Sequence, residues 1–242
     1  YTLLLTLIVN GSECEPYLTS DHRIMVENAE QIVDGIALAM KASGVACAKV
    51  GIEDNKPECI ARYRELVKNE QNMEVMPLKA MYPQGGEKVL IYHVTGEKVP
   101  EGKLPLDVGA VVLNCTTISS IARYCRTGLP LVKKCVTVDG SAVKNPMNVL
   151  VPIGMRMKDV FEATGGFKEE PKMVLYGGPM MGIAVPDLEQ PILKNTNAIL
   201  AFGEAEATPP EPTACIKCGK CIAHCPLSLM PCEMETAYKK GN

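Results

Sequence analysis

The chain has 242 residues, of which 47% are hydrophobic and 22% are charged, and its formal net charge is −3. That composition is typical of a soluble globular protein with one or two domains. An acidic chain with only 5% aromatic residues lacks the positive field and the stacking rings that nucleic acids require, so we predict no nucleic-acid partner. No apolar run approaches the ~18 residues of a membrane-spanning helix, and we predict no transmembrane segment.

The first 130 residues alternate predicted strands with predicted helices. Apolar runs predict strands at residues 3–9, 46–52, 73–78 and 108–114. Helical periodicity and end signals predict four helices. The first begins with Asp21 as its N-cap and ends at Gly44. The others span residues 57–68, the segment from the turn at 82–88 through about 94, and residues 116–126. Strand 3–9 has no polar alternation, which is typical of a strand buried on both faces. The alternation favours an α/β domain at residues 1–130 with a doubly wound, Rossmann-like parallel sheet.

From residue 131 the pattern changes to short strands separated by turns. Strands are predicted at 132–138, 148–153, 173–176 and 199–202, with a short helix at 157–163. We interpret residues 131–202 as a small α+β domain with a final strand. Three glutamates and three prolines fall within residues 204–212, so residues 203–213 are predicted to be a linker that packs no core. A cysteine-rich module occupies residues 214–242.

Four cysteines in this module have the spacing of an iron–sulfur ligand run. Cys215, Cys218, Cys221 and Cys225 are separated by two, two and three residues, and Pro226 follows. Three thiolates at this spacing can surround one face of a [4Fe–4S] cluster, while the fourth normally ligates a second cluster. Gly219 would let the backbone bend around the cluster. A zinc site and a chance or disulfide cluster are the alternatives.

The other seven cysteines are scattered singly and lack the density of a disulfide framework, which indicates a reducing compartment. They are Cys14, Cys47, Cys59, Cys115, Cys125, Cys135 and Cys232. His22, His93 and His224 follow no metal-ligand rhythm. The pair Met180–Met181, after Gly177-Gly178-Pro179, is interpreted as adaptable core filling.

Three polar loops follow predicted strands, at the edge where open α/β sheets bind ligands. The acidic loop, residues 10–15, offers Asn10, Glu13 and Glu15 to a hydroxylated, nitrogen-rich ring, although a solvated helix-capping loop is an equal alternative. Gly85-Gly86-Glu87 leads into a helix, where backbone N–H groups can bind phosphate, and Asn114 to Thr117 has the same position. A tight turn and an N-cap are the respective alternatives. The recurrence of the three loops at one sheet edge favours a cofactor site.

Four ordered motifs make the chain resemble a known family. They are residues 10–23 (NGSECEPYLTSDHR), 82–88 (YPQGGEK), 177–182 (GGPMMG) and the cysteine run. Together they closely resemble the C subunit of the Rnf electron-transport complex, and more distantly the flavin-bearing subunit of respiratory complex I. The resemblance implies that the small α+β domain is a β-grasp domain of the SLBB type, followed by a ferredoxin-like iron–sulfur segment.

The resemblance also implies the cofactors and their residues. FMN and NAD(H) are expected at the sheet edge, with electrons leaving through two [4Fe–4S] clusters in the full-length family. Asn10, Glu13 and Glu15 match the family's acidic loop near the flavin. Gly85, Gly86 and Glu87 match its Gly-Glu turn, where alanine often stands in place of Gly86. Asn114 and Thr117 match its Asn and Thr beside the flavin. Cys215, Cys218, Cys221 and Cys225 match its cluster ligands.

The implied function is the NADH/FMN and iron–sulfur electron-transfer arm of a membrane-associated, ion-translocating ferredoxin:NAD⁺ oxidoreductase. The implied partners are NADH, the integral-membrane and ferredoxin-like Rnf subunits and, indirectly, ferredoxin, and the implied location is peripheral, on the cytoplasmic face of the membrane. Alternatives are a soluble Rnf-C-like relay to a reductase and a non-catalytic zinc-binding assembly module. The family's phosphate loop would precede Tyr1 and a second cysteine run would follow Cys232, so we expect a fragment that lacks both ends and is inactive alone.

Overall fold

The structure is a computed structural model that describes residues 5–225 and 228–241. It divides into two compact units, Tyr1–Ala207 and Thr208–Asn242. The helices are Ser20–Glu27 (α1), Ala29–Ser43 (α2), Pro57–Val67 (α3), Glu87–Thr95 (α4), Cys115–Thr127 (α5), Met157–Ala163 (α6), Glu204–Ala207 (α7), Lys220–Ala223 (α8) and Pro231–Lys239 (α9), with a 3₁₀ turn at Pro105–Val108. The strands are Thr6–Gly11 (β1), Cys47–Glu53 (β2), Met73–Leu78 (β3), Ala110–Asn114 (β4), Lys133–Asp139 (β5), Met147–Pro152 (β6), Met173–Tyr176 (β7), Ile183–Ala184 (β8) and Ala198–Phe202 (β9).

The first sheet is parallel throughout, with the strand order β3-β2-β1-β4. Central strand β1 is buried on both faces: Leu7 and Val9 belong to the core formed with α1, α2, α3 and α5, whereas Ile8 packs with Leu90 and Ile91 of α4. Helices therefore cover both faces, and the predicted doubly wound Rossmann-like sheet is confirmed. Residues 3–4 of the first predicted strand lie outside the described residues.

The helix predicted from Asp21 to Gly44 is two helices. Asn28 has φ −120° and ψ 31°, which is not helical, and it separates α1 from α2. Its backbone still accepts a bond from Ile32 N (2.9 Å), so it ends one helix and begins the next. Asparagine favours such positions because its short amide competes with helical backbone bonds. Asp21 is not the N-cap either, since α1 begins one residue earlier, at Ser20.

The second sheet has five strands in the order β6-β5-β9-β7-β8. β9 is its central strand, paired parallel with β5 and antiparallel with β7, and all five of its residues are buried. The final strand predicted at residues 199–202 therefore belongs to the small domain's own sheet. Helix α6 covers this sheet through Met157, Val160 and Phe161, which are at most 1% exposed.

Part of the predicted linker is ordered. Residues 204–207 form α7, and Ala207 packs against a buried cluster that includes Leu200 and Phe202. The prediction that residues 203–213 pack no core is therefore wrong for Ala207, the last residue of this turn, whereas Glu204, Ala205 and Glu206 are exposed.

The second unit contains α8 and α9. Gly219, immediately before α8, has φ +70°, the left-handed conformation that glycine adopts without strain. Among the described residues, no helix has the length and apolar character needed to cross a bilayer.

Candidate functional site

A cleft of about 620 Å³ opens at the carboxyl ends of β1 and β4. The register of these neighbouring strands places Asn10 opposite Asn114, so the loops that follow both strands meet there. The remaining lining comes from residues 82–86 and from two segments of the second sheet, 176–183 and 193–197. The volume is that of a typical small-molecule or cofactor site. We call it the acidic cleft, because Glu13, Glu15 and Asp21 line it and no lysine, arginine or histidine among the described residues does.

The side chain of Asn10 connects two of the lining loops by hydrogen bonds. Its Nδ2 donates to Gly85 O (2.9 Å), and its Oδ1 accepts from Ser12 N (3.0 Å). Gly85 N donates in turn to Cys14 Sγ (3.3 Å). The approach is close enough that a Cβ on Gly85 would lie 2.7 Å from Ser12 O. Glycine is required at this position because the backbones of the two loops touch.

The Gly85-Gly86 turn does not present free N–H groups to a phosphate. Gly85 N bonds to Cys14 Sγ, and Gly86 N donates to Pro83 O (2.8 Å). The amides of these two glycines are therefore not free to bind phosphate, and phosphate binding by the first-turn N–H groups of α4, from Glu87 onward, stays a prediction. Both glycines line the cleft, whereas Glu87 is exposed and does not.

Glu13 combines a capping role with an unusual protonation equilibrium. Its two carboxylate oxygens accept from Asp21 N (2.8 Å) and His22 N (3.1 Å), at the start of α1, where Thr19 supplies no side-chain cap. The capping alternative for the acidic loop is thus observed in the structure. Burial, and next the neighbouring Asp21 carboxylate, raise the pKa of Glu13 to about 7. This carboxyl group can gain or lose a proton near neutral pH.

Asp21 joins the acidic loop to β4 and α5. Its carboxylate accepts from Asn114 Nδ2 (2.7 Å) and Thr116 Oγ1 (2.8 Å), and Asn114 caps α5 by accepting from Thr116 N (2.8 Å). Asp21 and Thr116 are buried, so these bonds are shielded from water. Thr117 is exposed and lines a neighbouring cleft instead of this one.

Glu15 ties the loop after β7 to the acidic loop. Its Oε2 accepts from Met180 N (3.0 Å), and a Cβ on Gly178 would lie 2.1 Å from the same oxygen. The interpretation of Met180 and Met181 as core filling is wrong: they are 53% and 74% exposed, and Met181 lines the cleft. The glycine-rich turn directly after a strand was the signal that placed them on the surface.

Buried polar atoms without partners indicate a polar ligand. In the described part of the chain, Ser12 Oγ and Glu15 Oε1 are buried and make no hydrogen bond, and both residues line the cleft. Gln84, between two lining residues, is 0% exposed, and neither atom of its amide has a partner. Each such atom costs about 1–3 kcal/mol unless something satisfies it. Donors and acceptors around the edge of an isoalloxazine ring fit this set.

His22, Glu58 and Cys59 form a separate group, with ligand atoms within 4.8 Å of one another. His22 Nε2 and Glu58 Oε1 already pair at 2.7 Å. Burial and the Glu58 charge raise the pKa of the Cys59 thiol to about 11, which disfavours the thiolate that a metal requires. We interpret this group as a hydrogen-bonded His22–Glu58 pair beside a buried thiol.

The cysteine run lies on the surface of the second unit. Cys215, Cys218 and Cys221 are exposed and Cys225 is partly buried. Backbone N–H groups donate to two of the sulfurs, from Lys217 to Cys215 (3.4 Å) and from Leu229 to Cys225 (3.3 Å). Bonds of this kind tune the potential of iron–sulfur clusters. Pro226 lies outside the described residues.

Cys232 is not an isolated cysteine. It lies in the first turn of α9, and its Sγ is 3.2 Å from Cys221 Sγ. The eleven-residue separation gave no recognisable motif spacing, so the sequence did not reveal this contact.

Comparison with known sequences identifies the domain that contains the first sheet. Residues 3–123, half of the chain, match the family described as the Nuo51 FMN-binding domain. The chain belongs to this family. Residues 135–184 match the SLBB domain, which confirms the predicted β-grasp type of the second sheet. The cleft thus lies on an FMN-binding domain, at the edge that faces its SLBB neighbour.

Curated relatives confirm the resemblance to the Rnf C protein. The chain is 45% identical to the C subunit of the proton-translocating ferredoxin:NAD⁺ oxidoreductase complex of Clostridium ljungdahlii, covering 96% of this chain and 51% of the relative. It is 44% identical to the C subunit of the Na⁺-translocating complex of Acetobacterium woodii, covering 98% and 53%. It is 41% identical to the C subunit of the ion-translocating oxidoreductase complex of Rhodobacter capsulatus, covering 99% and 46%. The chain spans about half the length of these relatives.

Solved structures share the fold. A chain of an NAD⁺-reducing [NiFe]-hydrogenase in the H₂-reduced state superposes with a TM-score of 0.70 at 21% identity, covering 81% of this chain and 40% of that chain. The air-oxidised state gives 0.69 over the same shares. At 21% sequence identity, this structural similarity supports the fold alone.

Proposed function

We propose that this chain is the NADH- and FMN-binding, iron–sulfur part of the C subunit of an ion-translocating ferredoxin:NAD⁺ oxidoreductase. The observation that carries the proposal is the set of unsatisfied buried atoms of Ser12, Glu15 and Gln84 around a cleft on an FMN-binding domain. When bound, the flavin takes two electrons together from NADH and releases them singly.

Some residues of the cleft are proposed to bind the flavin ring, and others to position the loops around it. Ser12 Oγ and the free oxygen of Glu15 are positioned to bond its polar edge, and Gly85 and Gly178 allow close backbone approach. Asn10 and Asn114 act as positioning residues, because their amides hold the lining loops to one another and to Asp21. Glu13, with a pKa of about 7, is the residue able to hold or release a proton beside the cleft.

Cys215, Cys218, Cys221 and Cys225 are proposed as ligands of [4Fe–4S] clusters, with Cys225 serving the second of two. We further propose a peripheral place on the cytoplasmic face of the membrane, beside integral-membrane and ferredoxin-like subunits, with ferredoxin as an indirect partner. The relatives' names, which describe subunits of ion-translocating ferredoxin:NAD⁺ oxidoreductase complexes, support membership of such a complex.

The test is an absorption spectrum of full-length protein purified without oxygen, recorded before and after NADH. We expect flavin and cluster bands that both bleach on NADH addition. A colourless protein that contains zinc and gives no electron paramagnetic resonance signal after reduction would contradict the proposal and favour the zinc assembly module. Co-purification with integral-membrane subunits distinguishes the complex from a soluble relay.

A matched pair of variants tests the ligand assignment. Cys218→Ser should lower the iron content and the cluster signal, whereas Cys125→Ser, which changes another exposed cysteine on α5, should alter neither. Equal iron content in both variants would refute the assignment of Cys218.

A further inference from the structure

Tyr17 has a backbone conformation that few side chains adopt. Its φ is +70°, and among the described residues of the first unit it is the one residue other than glycine with a positive φ. It follows Pro16 in a turn, and a positive φ directly after proline is typical of a type II turn, where glycine or asparagine normally stands. A bulky residue is strained there, because its Cβ approaches the following carbonyl oxygen. The fold therefore retains tyrosine at this position against a conformational cost.

The ring of Tyr17 packs against the second sheet. It meets Phe202 edge-on, with ring centroids 5.3 Å apart and an interplanar angle of 79°. Phe202 is 4% exposed and ends β9, the central strand of this sheet. Leu18, the next residue of the loop, packs against the same buried cluster, which includes Phe202. Because edge-to-face aromatic pairs are favourable beyond the area that they bury, this contact offsets the backbone strain.

Hydrogen bonds attach the following residues to the same side of the molecule. Thr19 N donates to Thr137 Oγ1 of β5 (3.1 Å). Ser20 Oγ donates to Asn197 O, immediately before β9 (3.1 Å). Residues 17–20, which we call the anchor segment, are thus held on the second sheet by a ring contact, a backbone bond and a side-chain bond.

The anchor segment directly follows the part of the acidic loop that lines the cleft. Ser12 and Glu15 line the cleft and carry buried oxygens without partners, and Glu15 lies two residues before Tyr17. At its other end the loop continues from β1, where Asn10 Oδ1 accepts from Ser12 N. The loop is therefore held between the first sheet at Asn10 and the second sheet at Tyr17. Release of either end would change where its oxygens point.

We propose that Tyr17 is a positioning residue of the acidic cleft. Its ring, packed on Phe202, holds the acidic loop in the conformation that directs Ser12 and Glu15 towards the ligand, and the same contact maintains the strained backbone. The proposal rests on the proposed function for the identity of that ligand, FMN. It gives the second sheet a defined part in binding, which is to fix the loop that contacts the ring system.

The experiment separates the ring contact from the backbone strain with three variants of the full-length protein. Tyr17→Phe keeps the ring and should bind FMN within about twofold of wild type. Tyr17→Ala and Tyr17→Gly both remove the ring, and each should weaken FMN binding by roughly tenfold or more, because small misplacements of binding groups are costly. Tyr17→Gly should nevertheless have the higher Tm of these two, by about 2–4 °C, since glycine relieves strain at positive φ. At an ordinary position the alanine variant would be the more stable.

Hydrogen exchange of the unliganded proteins tests the anchor segment without a cofactor. Backbone amides of residues 12–15 should exchange roughly tenfold faster in Tyr17→Ala and Tyr17→Gly than in wild type or Tyr17→Phe. Tyr92→Ala is the matched control, because Tyr92 is 45% exposed, lies on α4 and does not line the acidic cleft. This control should change neither the exchange of the loop nor FMN binding.

Each outcome decides a separate point. Wild-type FMN affinity and wild-type exchange in Tyr17→Ala would overturn the proposal, and so would an equal loss of affinity in Tyr17→Phe, which keeps the ring. A lower Tm for Tyr17→Gly than for Tyr17→Ala would overturn the strain assigned to this residue. If the wild-type protein binds neither FMN nor NADH, the proposed function fails. Faster exchange at residues 12–15 in the two variants without the ring would then still uphold the anchoring role of Tyr17, and unchanged exchange would overturn it.

Discussion

Gly85→Ala tests whether the acidic cleft depends on contact between the backbones of two loops. The added Cβ would lie 2.7 Å from Ser12 O and 3.2 Å from Cys14 Sγ. Ordinary contact distances require the loops to separate by about half an ångström or more. That shift acts directly on the bonds that join Gly85 to Asn10 and Cys14.

The expected cost follows from these contacts. Overpacking of this kind costs about 1–3 kcal/mol, and weakening the Asn10–Gly85 hydrogen bond adds about 0.5–1.5 kcal/mol. For a unit of this size the sum corresponds to a fall in Tm of roughly 5–15 °C. Because sub-ångström misplacement of binding groups is costly, we expect FMN affinity to fall by at least about tenfold.

The assay is fluorescence titration of FMN with thermal unfolding of the same samples. Gly86→Ala is the matched control: Gly86 has a φ of −65°, which alanine adopts without strain, and an added Cβ would lie 3.0 Å from Pro83 O. The control should lose at most about 1 kcal/mol of stability and bind FMN nearly normally. Wild-type FMN affinity in Gly85→Ala would refute the reasoning, as would equal damage by both substitutions.

Three further substitutions test other contacts of the cleft. Glu15→Ala removes the carboxylate that accepts a hydrogen bond from Met180 N. The backbone amides of residues 177–182 should then exchange hydrogen roughly tenfold faster, as measured by mass spectrometry. Unchanged exchange would show that this bond does not hold the loop. The folded pKa of Glu13, about 7, lies above the ordinary glutamate pKa of 4.5, so the folded state holds more protons between these values. The free energy of unfolding of the wild-type protein should therefore fall as pH rises across that interval, by at most about 3 kcal/mol. In urea unfolding, the free energy of unfolding of Glu13→Gln should depend less on pH. Identical pH dependence in the two proteins would contradict the raised pKa. Asp21→Ala leaves Asn114 and Thr116 without their shared acceptor and should cost about 2–4 kcal/mol in urea unfolding, whereas a loss below about 0.5 kcal/mol would show that the network contributes little.

Local patterns in the sequence were sufficient to predict the alternating strands and helices that form the first sheet. The apolar run at residues 3–9 predicted a doubly buried strand because parallel strands between helices need apolar residues on both faces, and Leu7, Ile8 and Val9 are buried. Helix α6 and strand β7 begin and end at the predicted residues, because turn residues bound both apolar segments. The break at Asn28 was missed because apolar periodicity continues across it, and a single residue outside the helical region does not disturb that pattern.

The site was only partly accessible to the same reasoning. Asn10 and Asn114 were found because each lies at the carboxyl end of a strand, and parallel strands bring these ends to one edge. Met181 was not predicted at the cleft: the glycine-rich turn before it indicates exposure, but its place at the cleft depends on how the second sheet packs beside the first.

Asp21 shows why such a site must be assembled by tertiary structure. It was predicted as a helix cap, yet its carboxylate receives its bonds from residues 93 and 95 positions away. The same residue donates its backbone N–H to Glu13, so the acidic loop, α1 and the start of α5 form one hydrogen-bonded unit. Because Asn114 lines the acidic cleft and donates to Asp21, a shift at Asp21 would move one wall of this cleft.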